Sequence, residues 1–427
     1  MAENGGMAST VRSIRLDMEP ACIGFCPEAP EYFVIGTWHL IEEKPDLSSH
    51  TDDAPQEAAI KKQKHEGSID VYRLTRDEIT KIQTEAHPTC AIWDLEFQPH
   101  AGRRDLFAAG TSAGTVLIYR VPGALEFSPD SRPLLKQLSR IGPYVSDDDE
   151  IMITKCCWHP TVRDMLAFST LAGDVHLARL GATDDGGFAV AATMTRTSVL
   201  YHTELAWTVA LAPKLTVYSG GDDAALRYVA CTPPPDGDDE GGSDPFVSVC
   251  EAVAMQRGPH EAGVVSILPL PDVALETGHN VVVTGSYDDK VRVLAVRPPD
   301  ADVATQQYRV LAEAHVGGGA WRLRLVSVAV SRGEGAKVWR IRLLAPCMSA
   351  GSRVLEIRGS AGGDGLGGQQ WEVEVLGSWF EDGEGDGMLN YGADFQPGTA
   401  SGDDRPLTCV STSFYSKMLY LWRFGST

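Results

Sequence analysis

The chain has 427 residues, 37 Lys and Arg against 58 Asp and Glu, and 43% hydrophobic residues, which is ample for a packed core and excludes a disordered or fibrous chain. The net charge of −21 excludes a nucleic-acid or anionic-membrane surface as principal partner, because such surfaces need clustered Lys and Arg to displace counterions. Nine irregularly spaced Cys form no CxxC pair, the first residues lack a secretory pattern, and no run approaches the ~18 apolar residues of a membrane span. The expectation is a cytoplasmic monomer with reduced thiols, no metal and no cofactor.

In chain order, Val11, Ser13, Ile14 and Leu16 alternate and predict a strand able to close the last sheet of a ring. An aromatic, one residue and Pro then recur at Phe25-Cys26-Pro27, Phe97-Gln98-Pro99, Trp158-His159-Pro160 and Phe395-Gln396-Pro397, each closing an alternating apolar run. About ten residues later a second run, a small-residue turn and a third strand follow, most clearly from Phe107 to Tyr119. Period-2 alternation broken by Gly, Ser and Asp reads as antiparallel meanders, and helical periodicity is almost absent. Seven meanders are predicted, at 19–74, 86–120, 150–180, 202–230, 260–297, 315–358 and 389–424, in one domain over 1–427. Between them, 42–66, 121–149, 232–246, 299–313, 327–338 and 359–388 are rich in Gly, Pro and acid and read as loops, with an extra strand around Trp371 to Trp379.

The most specific repeat is Ser219-Gly-Gly-Asp-Asp223-Ala-Ala-Leu-Arg227, which superposes on Thr284-Gly-Ser-Tyr-Asp288-Asp-Lys-Val-Arg292. His202 precedes Asp223 by 21 residues and His260 precedes Asp288 by 28. This pattern resembles the WD40 repeat and implies an all-β, seven-bladed propeller with long acidic and Gly-rich insertions, in which each His and turn Asp hydrogen-bond within a blade. By that alignment Asp222, Tyr287 and Tyr415, each just before a turn position, project onto the top face near the channel.

Five pieces resemble one family beyond the generic repeat: 202–207 with its Leu-Ala-Trp207; 217–223; 260–267 with 283–288; Gly319-Ala-Trp-Arg322 with 344–348; and Tyr391-Gly-Ala-Asp394-Phe with Ser411-Thr-Ser-Phe-Tyr415 and Leu421-Trp422. They resemble the diphthine methyl-ester hydrolase family of diphthamide biosynthesis, over roughly residues 19 to 424. The resemblance implies hydrolysis of the methyl ester of methylated diphthine on elongation factor 2, with release of methanol. Against it stands a non-catalytic WD40 scaffold, such as a ubiquitin-ligase substrate receptor or trafficking adaptor.

Ester hydrolysis needs activated water or a nucleophile, a base near neutral pKa and oxyanion donors. No Gly-x-Ser-x-Gly elbow is present. The expected catalytic group is His202 with Asp222 and Arg322, His202 acting as base on water, in preference to Cys347 or Ser413 as nucleophile. Glu204, Trp207, Tyr287, Trp321 and Tyr415 are expected to bind the substrate, whose trimethylammonium group suits aromatic faces and carboxylates. His260, Asp223 and Asp288 are expected to staple blades, and Arg322→Ala is expected to leave stability nearly unchanged.

Overall fold

The computed structural model describes residues 6–41, 64–121, 135–146, 149–182, 188–195, 197–232, 247–248, 253–255, 258–299, 301, 307–333, 336–361, 370–381, 387–399 and 406–425. Seven antiparallel sheets stand around a central channel as a seven-bladed β-propeller. Blade 1 runs Glu19–Phe25, Tyr32–Ile41, Lys64–Thr75, Glu78–His87, and blade 2 runs Ile92–Phe97, Leu106–Thr111, Val116–Arg120, Lys136–Ile141. Blades 3, 4 and 5 begin at Ile153–Trp158, Ala206–Ala212 and Val264–Ala274. Blade 6 comprises Arg324–Gly333, Ala336–Pro346, Ser352–Ala361 and Trp371–Trp379; blade 7 comprises Ala393–Phe395, Leu407–Ser413 and Met418–Phe424, joined by Ser9–Arg15.

Several expected loops are strands. The fourth strands Glu78–His87, Lys136–Ile141 and Tyr308–His315 lie where loops or no element had been expected, and the hairpin Arg324–Gly333 with Ala336–Pro346 occupies 327–338. The reason is exposure: an outer strand buries only part of one face, so Glu78–His87 carries Lys81, Gln83 and Glu85 and offers little apolar signal. Trp371–Trp379 is the fourth strand of blade 6, as the alternation of Trp371, Val373 and Val375 indicates. The insertions 42–63 and 233–246 lie outside the described residues.

The core is divided into seven clusters, one at each junction between successive blades. The second strands sit between two such clusters. In Met165–Thr170, Leu166 and Phe168 face blade 2, while Met165 and Ala167 face blade 4, the period of two expected of a pleated strand buried on both faces.

The ring is closed by the strand Ser9–Arg15, antiparallel to Met418–Phe424. Just before it, Gly6–Met7 pairs in parallel with Trp371–Trp379 of blade 6. Trp379 Nε1 donates to Thr10 Oγ1 at 3.0 Å, fastening the same segment to two blades.

Candidate functional site

The site is built by a repeated irregularity. In blades 1 to 5 the register slips by one residue near the start of the first strand, leaving Ala21, Trp93, Thr154, Trp207 and Val265 as the extra residue. Such bulges re-aim a side chain. Trp93 of blade 2 and Trp207 of blade 4 are thereby brought together at 6.3 Å between ring centroids, and Trp321, leading into blade 6, lies 6.1 Å from Trp93 and 5.5 Å from Trp207. Blades 2, 4 and 6 are not adjacent, so these rings meet across the channel. Tyr391, leading into blade 7, packs at 4.9 Å from Trp321 and 5.8 Å from Trp93. Trp38 of blade 1 lies 5.1 Å from Trp93, and Tyr287 of blade 5 lies 6.1 Å from Trp321. Together they form an aromatic floor at the top of the channel.

One carboxylate borders this floor. Trp207 Nε1 donates to Asp222 Oδ1 at 2.7 Å. Gly263 lies between Asp222 and Tyr287: a Cβ there would stand 2.9 Å from Asp222 Oδ1 and 3.0 Å from Tyr287 Cδ2, so only glycine lets both side chains approach. Burial, reinforced by Asp222, pushes the Tyr287 hydroxyl up, and burial brings Tyr391 to about 12. Both remain neutral phenols at physiological pH. Tyr415 is 69% exposed and stands at the rim, packing 5.2 Å from Phe414, which in turn lies 5.5 Å from Tyr391.

Beneath the rings lies a layer of paired charges. Asp94 accepts from Arg322 at 3.0 Å, from Lys155 at 3.1 Å and from the Cys156 N–H at 2.9 Å. Glu96 accepts from Lys155 at 2.9 Å and Arg324 at 3.0 Å. Burial alone would raise the Glu96 carboxyl, but Lys155 and Arg324 outweigh it and bring it down to about 2. Arg322 also donates to the Trp321 carbonyl at 3.0 Å and stacks its guanidinium 5.0 Å from that ring.

The expected residues therefore divide. Asp222, Trp207, Tyr287 and Trp321 converge, with Tyr415 at the edge. Glu204 is exposed and makes none of these contacts. Arg322 is buried and committed to Asp94, so it presents no free guanidinium to a substrate. His202 is fully buried, with Nδ1 on Asp223 at 2.8 Å and Nε2 on Ser219 at 2.8 Å; both nitrogens are engaged, the geometry of a staple and not of a base. Burial would raise Asp223, but His202 and Arg227 hold it well below the usual carboxylate range. In blade 5 the expected His–Asp bond is replaced: His260 Nε2 bonds Thr284 at 2.9 Å, while Asp288 binds Arg292 at 2.8 Å. Cys347 is buried and its thiol pushed up to about 12 by burial, and Ser413 is buried. Trp38, Trp93 and Tyr391 were not among the expected binding residues, although Ile92-Trp93, Ala206-Trp207 and Ala320-Trp321 share the same strand-entry pattern. Among the described residues no group of three or more His, Cys, Asp or Glu is placed to hold a metal.

No family model matches the chain, and no curated protein does. Solved structures do. Sqt1 from Chaetomium thermophilum is 14% identical, with 98% of this chain and 99% of that one covered and a TM-score of 0.54. A second Sqt1 structure is 15% identical, covering 98% of each chain at a TM-score of 0.53. A chain of a mitotic checkpoint complex is 10% identical over 98% of this chain and 92% of its own, at 0.52. The fold is a WD40-type β-propeller. At these identities the likeness concerns fold alone, so the resemblance to diphthine methyl-ester hydrolases rests on the sequence pieces.

Proposed function

We propose that the propeller binds methylated diphthine of elongation factor 2 over its aromatic floor and hydrolyses the methyl ester. The observation that carries this reading is the convergence of Trp207, Tyr287, Trp321 and Tyr391 beside Asp222. A trimethylammonium group cannot donate a hydrogen bond, and such cations are held by ring faces, each contact contributing about 0.5 to 2 kcal/mol, with a carboxylate supplying the counter-charge. The five family-like pieces supply these same residues from four blades, which supports a shared substrate over a shared fold.

The second reading, a non-catalytic receptor for a protein partner, is favoured by the sequestration of His202, Cys347 and Ser413. Incubating the protein with elongation factor 2 bearing the methylated intermediate and following the substrate by mass separates the two. Loss of one ester methyl with release of methanol supports the hydrolase. Stable complex formation with the methyl retained overturns it in favour of the receptor.

A further inference from the structure

The hydrolase reading leaves the proton acceptor unassigned, since both nitrogens of His202 are engaged. A different histidine lies against the floor. In blade 1 the strands Tyr32–Ile41 and Lys64–Thr75 pair beyond the reach of the outer strand: that strand ends with His87 opposite Gly67, while His39, Leu40 and Ile41 continue opposite Glu66, His65 and Lys64. The hairpin therefore stands above the sheet at the top face. His65 lies diagonally across from Trp38, and the two rings pack with centroids 4.3 Å apart. Trp38 in turn packs on Trp93 in the floor. Of the described histidines, His65 is the one whose ring contacts this aromatic set.

Its state suits a base. Among the described residues neither ring nitrogen of His65 has a hydrogen-bond partner, whereas His202 and His260 bond within their blades. The ring is part-buried, and burial holds its pKa below the usual 6.5, so the imidazole is neutral at physiological pH and its lone pair meets no donor among the described residues. The charged groups beside it are Lys64 and Glu66 on its own strand, His39 across the hairpin and Glu19 opposite Trp38 on Glu19–Phe25, with Asp70 and Arg73 further along its strand and Asp94 and Glu96 on the strand of Trp93. Glu19 is occupied by His39 at 3.1 Å and Lys417 at 3.1 Å.

We propose that His65 is the general base of the floor, taking a proton from the water that attacks an ester carbonyl held over Trp38 and Trp93. This inference rests on the hydrolase reading. In diphthine the ester and the trimethylammonium share one carbon, so with the cation over Trp207 and Trp321 beside Asp222, both rings packing on Trp93, the ester carbonyl has room to lie over Trp93 toward Trp38, the ring that His65 packs against. Water oxygen bonds to the carbonyl carbon as His65 accepts the water proton. The tetrahedral intermediate then breaks its bond to the methoxy oxygen, which takes that proton from His65 and leaves as methanol. The carboxylate remains, and the acid proton of the product passes to solvent.

The test compares wild type with His65→Gln on elongation factor 2 bearing the methylated intermediate, measuring single-turnover methyl loss, substrate affinity and rate against pH. The expected result is a fall in rate of about 100-fold or more, affinity within about threefold, and loss of the acid limb that wild type shows as His65 protonates below about 6.5. An active wild type with an equally active His65→Gln variant overturns the assignment and leaves the hydrolase reading standing. Weakened affinity with an unchanged rate and pH profile also overturns it, since His65 would then be a packing residue. An inactive wild type that still binds the substrate overturns both.

Discussion

Arg322 is buried beneath the aromatic floor, and Arg322→Ala is expected to cost the fold as well as the site. The variant loses a charge-assisted hydrogen bond to Asp94, one of a class contributing about 1.5 to 3 kcal/mol. It also loses the stacking on Trp321, about 0.5 to 1 kcal/mol. Asp94 keeps Lys155 and the Cys156 N–H, so the cost stays below that of stranding a buried ion entirely. The sum is about 3 kcal/mol. For 427 residues the unfolding entropy is roughly 0.9 kcal/mol/K, so the expected drop in Tm is about 3 °C by scanning calorimetry. Asp94→Asn and the double variant complete a cycle, in which the double variant should recover about 1 to 2 kcal/mol of the summed losses. Wild-type stability in Arg322→Ala, or strict additivity in the cycle, would refute the buried pairing and restore the expectation of a free, functional guanidinium.

Four further outcomes are expected. His202→Ala should lose more stability than His260→Ala in urea unfolding, because His202 makes two side-chain bonds and His260 one; equal losses would contradict this. His260 is held at about 4 by burial and by Arg292, below its usual 6.5, so between these values the unfolded chain binds the proton that the fold refuses. Its contribution to stability is therefore present above 6.5 and lost as pH falls toward 4, and His260→Gln should flatten that part of the stability–pH curve. Cys347, buried with its thiol near 12, should resist iodoacetamide in the native protein, and Cys347→Ser should keep full methyl-ester hydrolysis; rapid alkylation with loss of activity would revive the thiol as nucleophile. Gly263→Ala should force Asp222 and Tyr287 apart and weaken tetramethylammonium binding about tenfold in calorimetric titration, while an unchanged Kd would remove both residues from the cation site.

Much of the fold was legible because a propeller repeats its local chemistry. The Gly- and Asp-rich turns before Arg227 and Arg292 and the four aromatic-x-Pro strand ends mark six of the seven meanders with residues whose backbone needs are specific. The outer strands were harder to read, since Glu78–His87 and Tyr308–His315 are half solvated and their alternation is diluted by charge. At the site, Asp222 and Tyr287 follow from the repeat. Trp93 does not stand out in Ile92-Trp93-Asp94 until the strand-entry bulge is known; the same bulge places Asp94 and Lys155 one residue further on in blades 2 and 3, and Arg322, which follows Trp321 ahead of the first strand of blade 6, meets Asp94 there. Complementary charge at one repeat position is the signal that marks this layer. His65 carries no motif; its role follows from how far one hairpin extends.

The sealing of blade 7 sets a timetable for synthesis. Ser9–Arg15 finds its partner only when Met418–Phe424 has been made, some 400 residues later. At roughly 5 to 20 residues per second that is on the order of 20 to 80 seconds of waiting. Joining ends so far apart in a flexible chain also costs about 5 kcal/mol in loop entropy, which the sheets between them must offset by forming first. During this interval the strand is an unpaired edge open to other nascent chains, and it carries Arg12 and Arg15 at exposed positions. Charge on an edge strand discourages the wrong partner, so these two arginines disfavour pairing of this strand with another chain.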